Sequence, residues 1–335
     1  MKQLPTIDLA PYLAGGDPTA IAQQIGDACT EFGFFLIANH GVEMDAIDAV
    51  YDSLEAFSGE DAELDPSVSY RTTQQLAEGE ARLQLNYVAA VEAEASAEYF
   101  HRGPRLHGCF PDRVPADHLA FFHPATSVED LTGEGKPAWV PYFEQSRALG
   151  SKILSLFALA VDLPADYFAA DFALDASNFT VNEYPARGTV REGGPQIIGR
   201  THTDSGTLTV LHQRGDYEGL EVQLLDDTWI RVPVDESKLI INIGDLMARW
   251  SNDRWRSTPH RVIDGEAPDA SRKSLVTFYS PSMETVIAPL PTCVGEEGSL
   301  YEPISAFEWE AKFLAIRNGQ SSASTSEDLV NRTRV

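Results

Sequence analysis

His202 and Asp204 stand two residues apart in HTDSGTLTVL, a run whose texture predicts a β-strand. On a strand, residues i and i+2 leave the same face, so an imidazole and a carboxylate would lie side by side as ligands for a divalent metal. The HxD spacing alone recurs by chance in many chains. His260, in the strand-like run RSTPHRVID, adds a third donor that could face the first two across a barrel. Two imidazoles and one carboxylate on one side of a metal form a facial triad, which leaves positions open for O2 and an oxidisable co-substrate. The same donors also serve catalytic zinc. A zinc hydrolase would be expected to carry a nearby general base, as in HExxH, and the chain contains no such motif.

Arg272 and Ser274, in SRKSLVTFY, are also two apart and can project from one strand face. A guanidinium grips a carboxylate through two parallel charge-assisted hydrogen bonds, and a hydroxyl adds a third. That suits the far end of a keto acid whose near end chelates a metal. Taken alone, RxS reads equally well as a surface arginine.

The elements that must position these groups change in texture along the chain. Apolar spacing predicts helices over 18–32, 44–57, 141–161 and 306–316. GFFLIANHGV reads as a buried strand and turn, with His40 a turn residue. After about Ser177, short β-branched and aromatic runs recur between turn signals: NFTVNEYP, TLTVLHQ, GLEVQLL, TWIRVPV, KLIINIGD, HRVID and KSLVTFYSP. Short strands at this spacing predict a sandwich or barrel rather than βαβ units. The stretch 60–132 shows no clear period, and the polar tail 318–335 is expected to be disordered.

Composition narrows the function. Among 335 residues, 25 Lys plus Arg face 51 Asp plus Glu, a formal charge of −26. That surface repels phosphate backbones and anionic lipid heads, so neither nucleic acid nor a membrane is an expected partner. An anionic substrate would need a local cluster of cations. Three scattered cysteines give no disulfide framework and no thiolate metal site. No leader and no membrane-spanning run is apparent, so a cytoplasmic location is expected. Oligomeric state is not legible.

The order HTD, INIGD, RWSNDRWRSTPHRV and RKSLVTFYSP, preceded by LPTIDL and ACTEFGFFLIANHGV, resembles the 2-oxoglutarate and iron(II)-dependent dioxygenase superfamily in its isopenicillin N synthase-like branch. The resemblance runs from about Leu4 to Pro281. It implies a mainly β fold with flanking helices, built on a distorted double-stranded β-helix (jelly-roll) core. It divides the chain into an N-terminal region (1–135), a jelly-roll domain with its preceding helix (136–317) and the tail. It makes His202, Asp204 and His260 the ligands of Fe(II). Arg272 and Ser274 would bind the C5 carboxylate of 2-oxoglutarate. Tyr184 and Asn182 of VNEYP would adjoin that co-substrate, and Leu211 with Leu208 would wall it. Phe278 would lie beside the substrate.

The implied reaction takes O2, converts 2-oxoglutarate to succinate and CO2, and hydroxylates, desaturates or cyclises a small metabolite, such as an amino-acid or peptide derivative. Ascorbate could serve as reductant, and the chemistry runs through the iron centre without a separate acid or base. A four-electron oxidase like isopenicillin N synthase and an ethylene-forming enzyme are alternatives on the same fold; a non-catalytic metal-binding sensor is a third. The loop between His260 and Arg272 is longer than the pattern leads one to expect. His101, His107, His118 and His123, with Arg102, Arg105 and Arg113, form a basic stretch read plainly as a solvated loop. Joined by Arg71 and Arg82, it could instead recognise a substrate carboxylate, with Arg82 and Arg102 the named candidates. His212 is expected to line the pocket or to stand behind the metal ligands rather than to be one, and Asp245 to support a turn.

Overall fold

Period-2 alternation in the second half of the chain and period-3.6 apolar stripes in the first become strands and helices that share one core. The computed structural model describes residues 2–54, 82–87, 100–101, 104–109, 126–127, 136–173, 175–184, 186 and 195–317. The chain begins with β1 (Thr6–Asp8), α1 (Ala10–Leu13), α2 (Thr19–Glu31), β2 (Phe34–Ala38) and α3 (Met44–Ser53). Strands β3 (Arg82–Tyr87), β4 (Phe100–His101), β5 (Pro104–Cys109) and β6 (Thr126–Ser127) lead to the long helix α4 (Lys136–Ala160). Then come β7 (Asn178–Tyr184), β8 (Ile197–His202), β9 (Leu208–Gly215), β10 (Leu220–Gln223), β11 (Trp229–Arg231) and β12 (Leu239–Ile243). Helix α5 (Asp245–Trp250), β13 (His260–Ile263), β14 (Arg272–Tyr279), β15 (Val286–Ile287), β16 (Ile304–Ser305) and α6 (Ala306–Arg317) complete the order.

The larger sheet runs β1-β2-β12-β9-β14-β7-β5-β3-β6, with β4 also paired to β7; the smaller runs β11-β10-β13-β8. Alternation gives the larger sheet two buried faces. Phe35, Ile37, Ile241, Leu208, Val210, Leu275 and Tyr279 pack with the apolar stripes of α2, α3 and α4. Phe34, Leu36 and Ile240 pack instead with Leu220 and Val222 of the smaller sheet. A third cluster, Tyr184, Ile198 and Val262, spans the two sheets. The result is the expected mainly β, jelly-roll-type architecture, with helices outside the larger sheet and both sheets left open at their edges. Between α2 and β2 the chain turns at Gly33 (φ +65°), where a side chain would collide with the Arg256 carbonyl and the Thr258 hydroxyl.

Three expectations are corrected. The basic stretch read as a solvated loop includes strands: His101 lies on β4 and Arg105 and His107 on β5, which with β3 and β6 extend the larger sheet at β7. Leu208 lies on the helix-facing side of β9, so it cannot wall an inter-sheet pocket; Leu211, of opposite parity, packs with the inter-sheet cluster. His212 also points to the helices, where its Nδ1 is 2.8 Å from the Tyr51 hydroxyl and its Nε2 is 2.9 Å from the Glu236 carbonyl oxygen. The tail expected to be disordered lies outside the described residues.

Burial lowers the His212 pKa to about 4, against an ordinary 6.5. The folded state therefore resists a proton that the unfolded chain accepts. Stability linked to this residue is complete above about pH 6.5 and declines as pH falls toward 4, by on the order of 2–3 kcal/mol. Urea unfolding of His212→Gln should show a shallower loss between pH 6.5 and 4.5 than the parent protein. Parallel curves would remove His212 as a source of acid sensitivity.

Candidate active site

His202 ends β8, His260 opens β13, and the two are register partners in the smaller sheet. Their ring centroids are 4.3 Å apart. Asp204 does not share the strand as the HxD spacing suggested. It lies past the end of β8, in the connection to β9, and reaches the same point from a loop. Its Oδ1 is 3.8 Å from His202 Nε2 and 3.7 Å from His260 Nε2. One donor atom from each residue lies within 4.8 Å of the others, a cluster that could hold a metal ion.

The remaining polar atom of each ligand is already engaged. His202 Nδ1 lies 2.8 Å from the Arg200 carbonyl oxygen, and His260 Nδ1 lies 3.2 Å from that of Thr258. A carbonyl oxygen only accepts, so each Nδ1 carries a hydrogen, and in the neutral ring it is Nε2 that offers its lone pair to the cluster. Asp204 Oδ2 accepts from Thr209 Oγ1 at 2.5 Å and Asn242 Nδ2 at 2.6 Å, which leaves Oδ1 free. Loss of water where the ring packs against the cluster, reinforced by His260, lowers the His202 pKa below its ordinary value. Burial opposes ionisation of Asp204. Positive charge on the imidazoles, when they carry it, and the bonds from Thr209 and Asn242 outweigh it and keep the carboxyl below its usual range. Phe34 meets the His260 ring edge-on at 5.3 Å. The His202 side chain is 42% exposed, against 11% for His260 and 6% for Asp204, so the cluster opens on the His202 side.

The ligand loop is seated on the amino end of α5. The N–H groups of Gly244, Asp245 and Leu246 donate to the carbonyls of Thr207, Asp204 and Gly206 at 3.0, 2.7 and 3.1 Å. A Cβ on Gly244 would overlap the Gly206 carbonyl, so INIGD needs glycine for this close approach. Asp245 supports this turn as expected, and burial pushes its carboxyl up to about 7.

The inter-sheet face of the larger sheet carries a second polar centre. Cross-strand register sets Asn242, Thr209 and Phe278 in one row, and Ile240, Leu211 and Val276 in the next. Gln213, Ser274 and Asn182 then form a row, followed by Arg272 and Tyr184. From Thr209, which touches Asp204, to Gln213, which touches Arg272, is four residues, about 13 Å along the strand. Arg272 is 1% exposed, and its guanidinium sits 5.0 Å from the Tyr184 ring. Its Nε and Nη2 donate to Gln213 Oε1 at 3.3 and 3.0 Å, and Gln213 Nε2 in turn donates to the Pro233 carbonyl at 2.8 Å. Nη1 is buried without a hydrogen-bond partner among the described residues, as is Asn182 Oδ1. Among the described residues no carboxylate pairs with this buried cation. A guanidinium held by a neutral amide, with one edge unsatisfied, fits an anionic ligand entering from between the sheets.

Thus the structure brings together His202, Asp204 and His260 at one end and Arg272, Ser274, Asn182 and Tyr184 at the other, with Leu211 between them. Phe278 lies on the same strand face, in the row of Thr209. Arg82 is the first residue of β3; Arg102, Arg71 and Arg113 fall outside the described residues. Arg261 turns away, donating to Glu221 at 2.7 Å beneath Trp229. The longer loop before β14 is tied down by Gln196 N–H donating to Asp264 at 2.7 Å and by Ser271 N–H donating to Asp216 at 3.0 Å. Sequence reasoning missed Thr209, Asn242 and Gln213. A signal existed: Asn242 interrupts the apolar run LIINI, and Thr209, Leu211 and Gln213 share one parity.

Comparison with known proteins agrees with this geometry. Residues 177–281 match the family model described as the 2OG-Fe(II) oxygenase superfamily, and residues 4–63 match the non-haem dioxygenase in morphine synthesis N-terminal model. The 2-oxoglutarate-Fe(II) type oxidoreductase ppzC of Metarhizium majus is 30% identical over 93% of this chain and 87% of its own. Validamycin A dioxygenase of Streptomyces hygroscopicus subsp. limoneus is 28% identical over 87% of this chain and 80% of its own. A full-length Neurospora crassa protein solved in complex with alpha-KG superposes with a TM-score of 0.73 at 24% identity, covering 94% of this chain and 96% of that one. Motif order, jelly-roll topology and a full-length relative converge, and the chain belongs to the 2-oxoglutarate–Fe(II) oxygenase superfamily.

Proposed function

We propose that His202, Asp204 and His260 hold the Fe(II) used by this family, and that Arg272 with Ser274 binds the distal carboxylate of 2-oxoglutarate. The observation that carries the second assignment is the unpartnered Nη1 of a fully buried arginine held by a neutral glutamine. Bound there, the metal and co-substrate supply the oxidising power, converting O2 and 2-oxoglutarate to succinate and CO2 as a substrate is oxidised. The chain's own residues orient and exclude. The carbonyls of Arg200 and Thr258 fix the imidazole tautomers, Thr209 and Asn242 direct Asp204, and Gln213 aims the guanidinium. Leu211, Ile240 and Val276 form an apolar row between the two centres. Tyr184 and Asn182 flank the carboxylate end in this reading, and Phe278 stands near the metal end, where substrate would approach.

The substrate is, in this reading, a small molecule carrying an anionic group. Strand β5 pairs with β7 at His107 and Asn178, and β4 pairs with β7 at His101 and Asn182. Strand β3 pairs with β5 so that Arg82, Gln84 and Asn86 stand opposite Cys109, His107 and Arg105. These register positions continue the row parity that holds Ser274 and Arg272. Basic residues at them, in a chain of net charge −26, favour an acid. Arg82→Ala should raise KM at least about tenfold for whichever member of a panel of small carboxylic acids is turned over, with KM for 2-oxoglutarate unchanged. An unchanged substrate KM would take Arg82 out of recognition.

The reaction class is tested by succinate. Protein loaded anaerobically with Fe(II), 2-oxoglutarate and a member of the acid panel that it oxidises, then exposed to O2, should release about one succinate per substrate oxidised. Asp204→Ala should release under about one hundredth of that. Consumption of a substrate with no succinate formed would instead favour the four-electron oxidase, in which Arg272 and Ser274 hold a substrate carboxylate.

A further inference from the structure

We propose that helix α6, remote in sequence from every motif, sets the metal affinity of the site by holding Ser205, the residue next to Asp204. Two consecutive α6 residues take the carbonyl and the hydroxyl of Ser205. Trp309 Nε1 donates to the Ser205 carbonyl at 3.0 Å, and Ser205 Oγ donates to Glu310 Oε1 and Oε2 at 3.0 and 3.3 Å. On the other side of the loop, the Asp245 and Leu246 N–H groups hold the carbonyls of Asp204 and Gly206. The stretch Asp204–Gly206 is thus held by both α5 and α6, with Ser205 at its centre, and the Asp204 backbone has little freedom to carry Oδ1 away from the two imidazoles.

The helix is itself anchored well enough to act as a fixed wall. Ser305 and Glu308 form a reciprocal cap: Glu308 N–H donates to Ser305 Oγ at 3.1 Å, and Ser305 N–H donates to Glu308 Oε2 at 3.3 Å. The N–H groups of Ala306 and Phe307 donate to the carbonyls of Thr285 and Met283 at 2.8 and 3.0 Å. Trp309 is fully buried in the main core, with the Arg249 guanidinium 5.8 Å from its ring. Packing alone would place an indole there. What packing does not explain is that its one N–H and the adjacent carboxylate both end on the residue after a metal ligand. Groups that orient ligands in this way typically account for about tenfold or more in metal affinity.

This inference rests on the assignment of His202, Asp204 and His260 as metal ligands, and the test separates the two. Co(II) serves as probe, with its visible absorption titrated in the full-length protein. Binding by the parent protein that is lost in Asp204→Ala establishes the site whatever α6 does. Ser205→Ala and Glu310→Ala should each weaken Co(II) binding about tenfold, and the double variant by clearly less than the product of the two, because the residues share a contact. Glu310→Gln, which can still accept from the hydroxyl, should bind like the parent. Melting temperatures of the metal-free singles should stay within about 2 °C of the parent. Affinities within about twofold across the set, additive losses in the double variant, or Glu310→Gln as weak as Glu310→Ala would each overturn the proposal.

Discussion

A carboxylate removed from water between two imidazoles is the constraint on which the rest of this structure depends. Asp204 is 6% exposed, and an isolated charge so placed would be neutralised rather than tolerated. Two hydrogen bonds to Oδ2 hold it ionised and at the same time choose which oxygen remains free. Those donors, Thr209 and Asn242, belong to the larger sheet, while His202 and His260 belong to the smaller. The site therefore exists only where the two sheets face each other, and the inter-sheet clusters are what hold that facing arrangement.

The same face carries the opposite problem a few rows away. Arg272 is a cation buried against a neutral amide and an aromatic ring, with no carboxylate beside it among the described residues. In charge terms the two ends complement one ligand. A divalent metal on one carboxylate leaves a net +1, Arg272 adds another, and a dicarboxylate keto acid brings −2. Burial strengthens this match because the space between the sheets is of low dielectric. The helix-facing side of the larger sheet plays no part in this. There, polar residues such as His212 are satisfied locally by Tyr51 and Glu236.

Much of this was legible in the chain. His202, Asp204 and His260 were found by residue type and spacing, and the strands from β7 to β14 by their alternation. The route to the triad was half right: His202 and His260 are strand partners, whereas Asp204 arrives from a loop, because β8 stops at the first ligand. Period-2 parity correctly grouped Arg272 with Ser274, but it needs a starting phase. Leu208 and His212 were assigned to the pocket side because nothing local to β9 says which of its faces meets the helices. The partners that orient the ligands were illegible for a different reason. Thr209, Asn242, Gln213, Trp309 and Glu310 act through contacts made only when distant strands and α6 come together.

On the proposed reading, a metal on His202, Asp204 and His260 and the guanidinium of Arg272 together bind one keto acid. Anaerobic titration of 2-oxoglutarate into the Fe(II)-loaded protein, followed through the visible metal-to-ligand charge-transfer band, tests it most directly. The account predicts saturation at one equivalent. It also predicts that Arg272→Leu raises the 2-oxoglutarate Kd by on the order of 100-fold while leaving Fe(II) affinity unchanged. A band of undiminished affinity in Arg272→Leu, or no band in the parent protein, would contradict it.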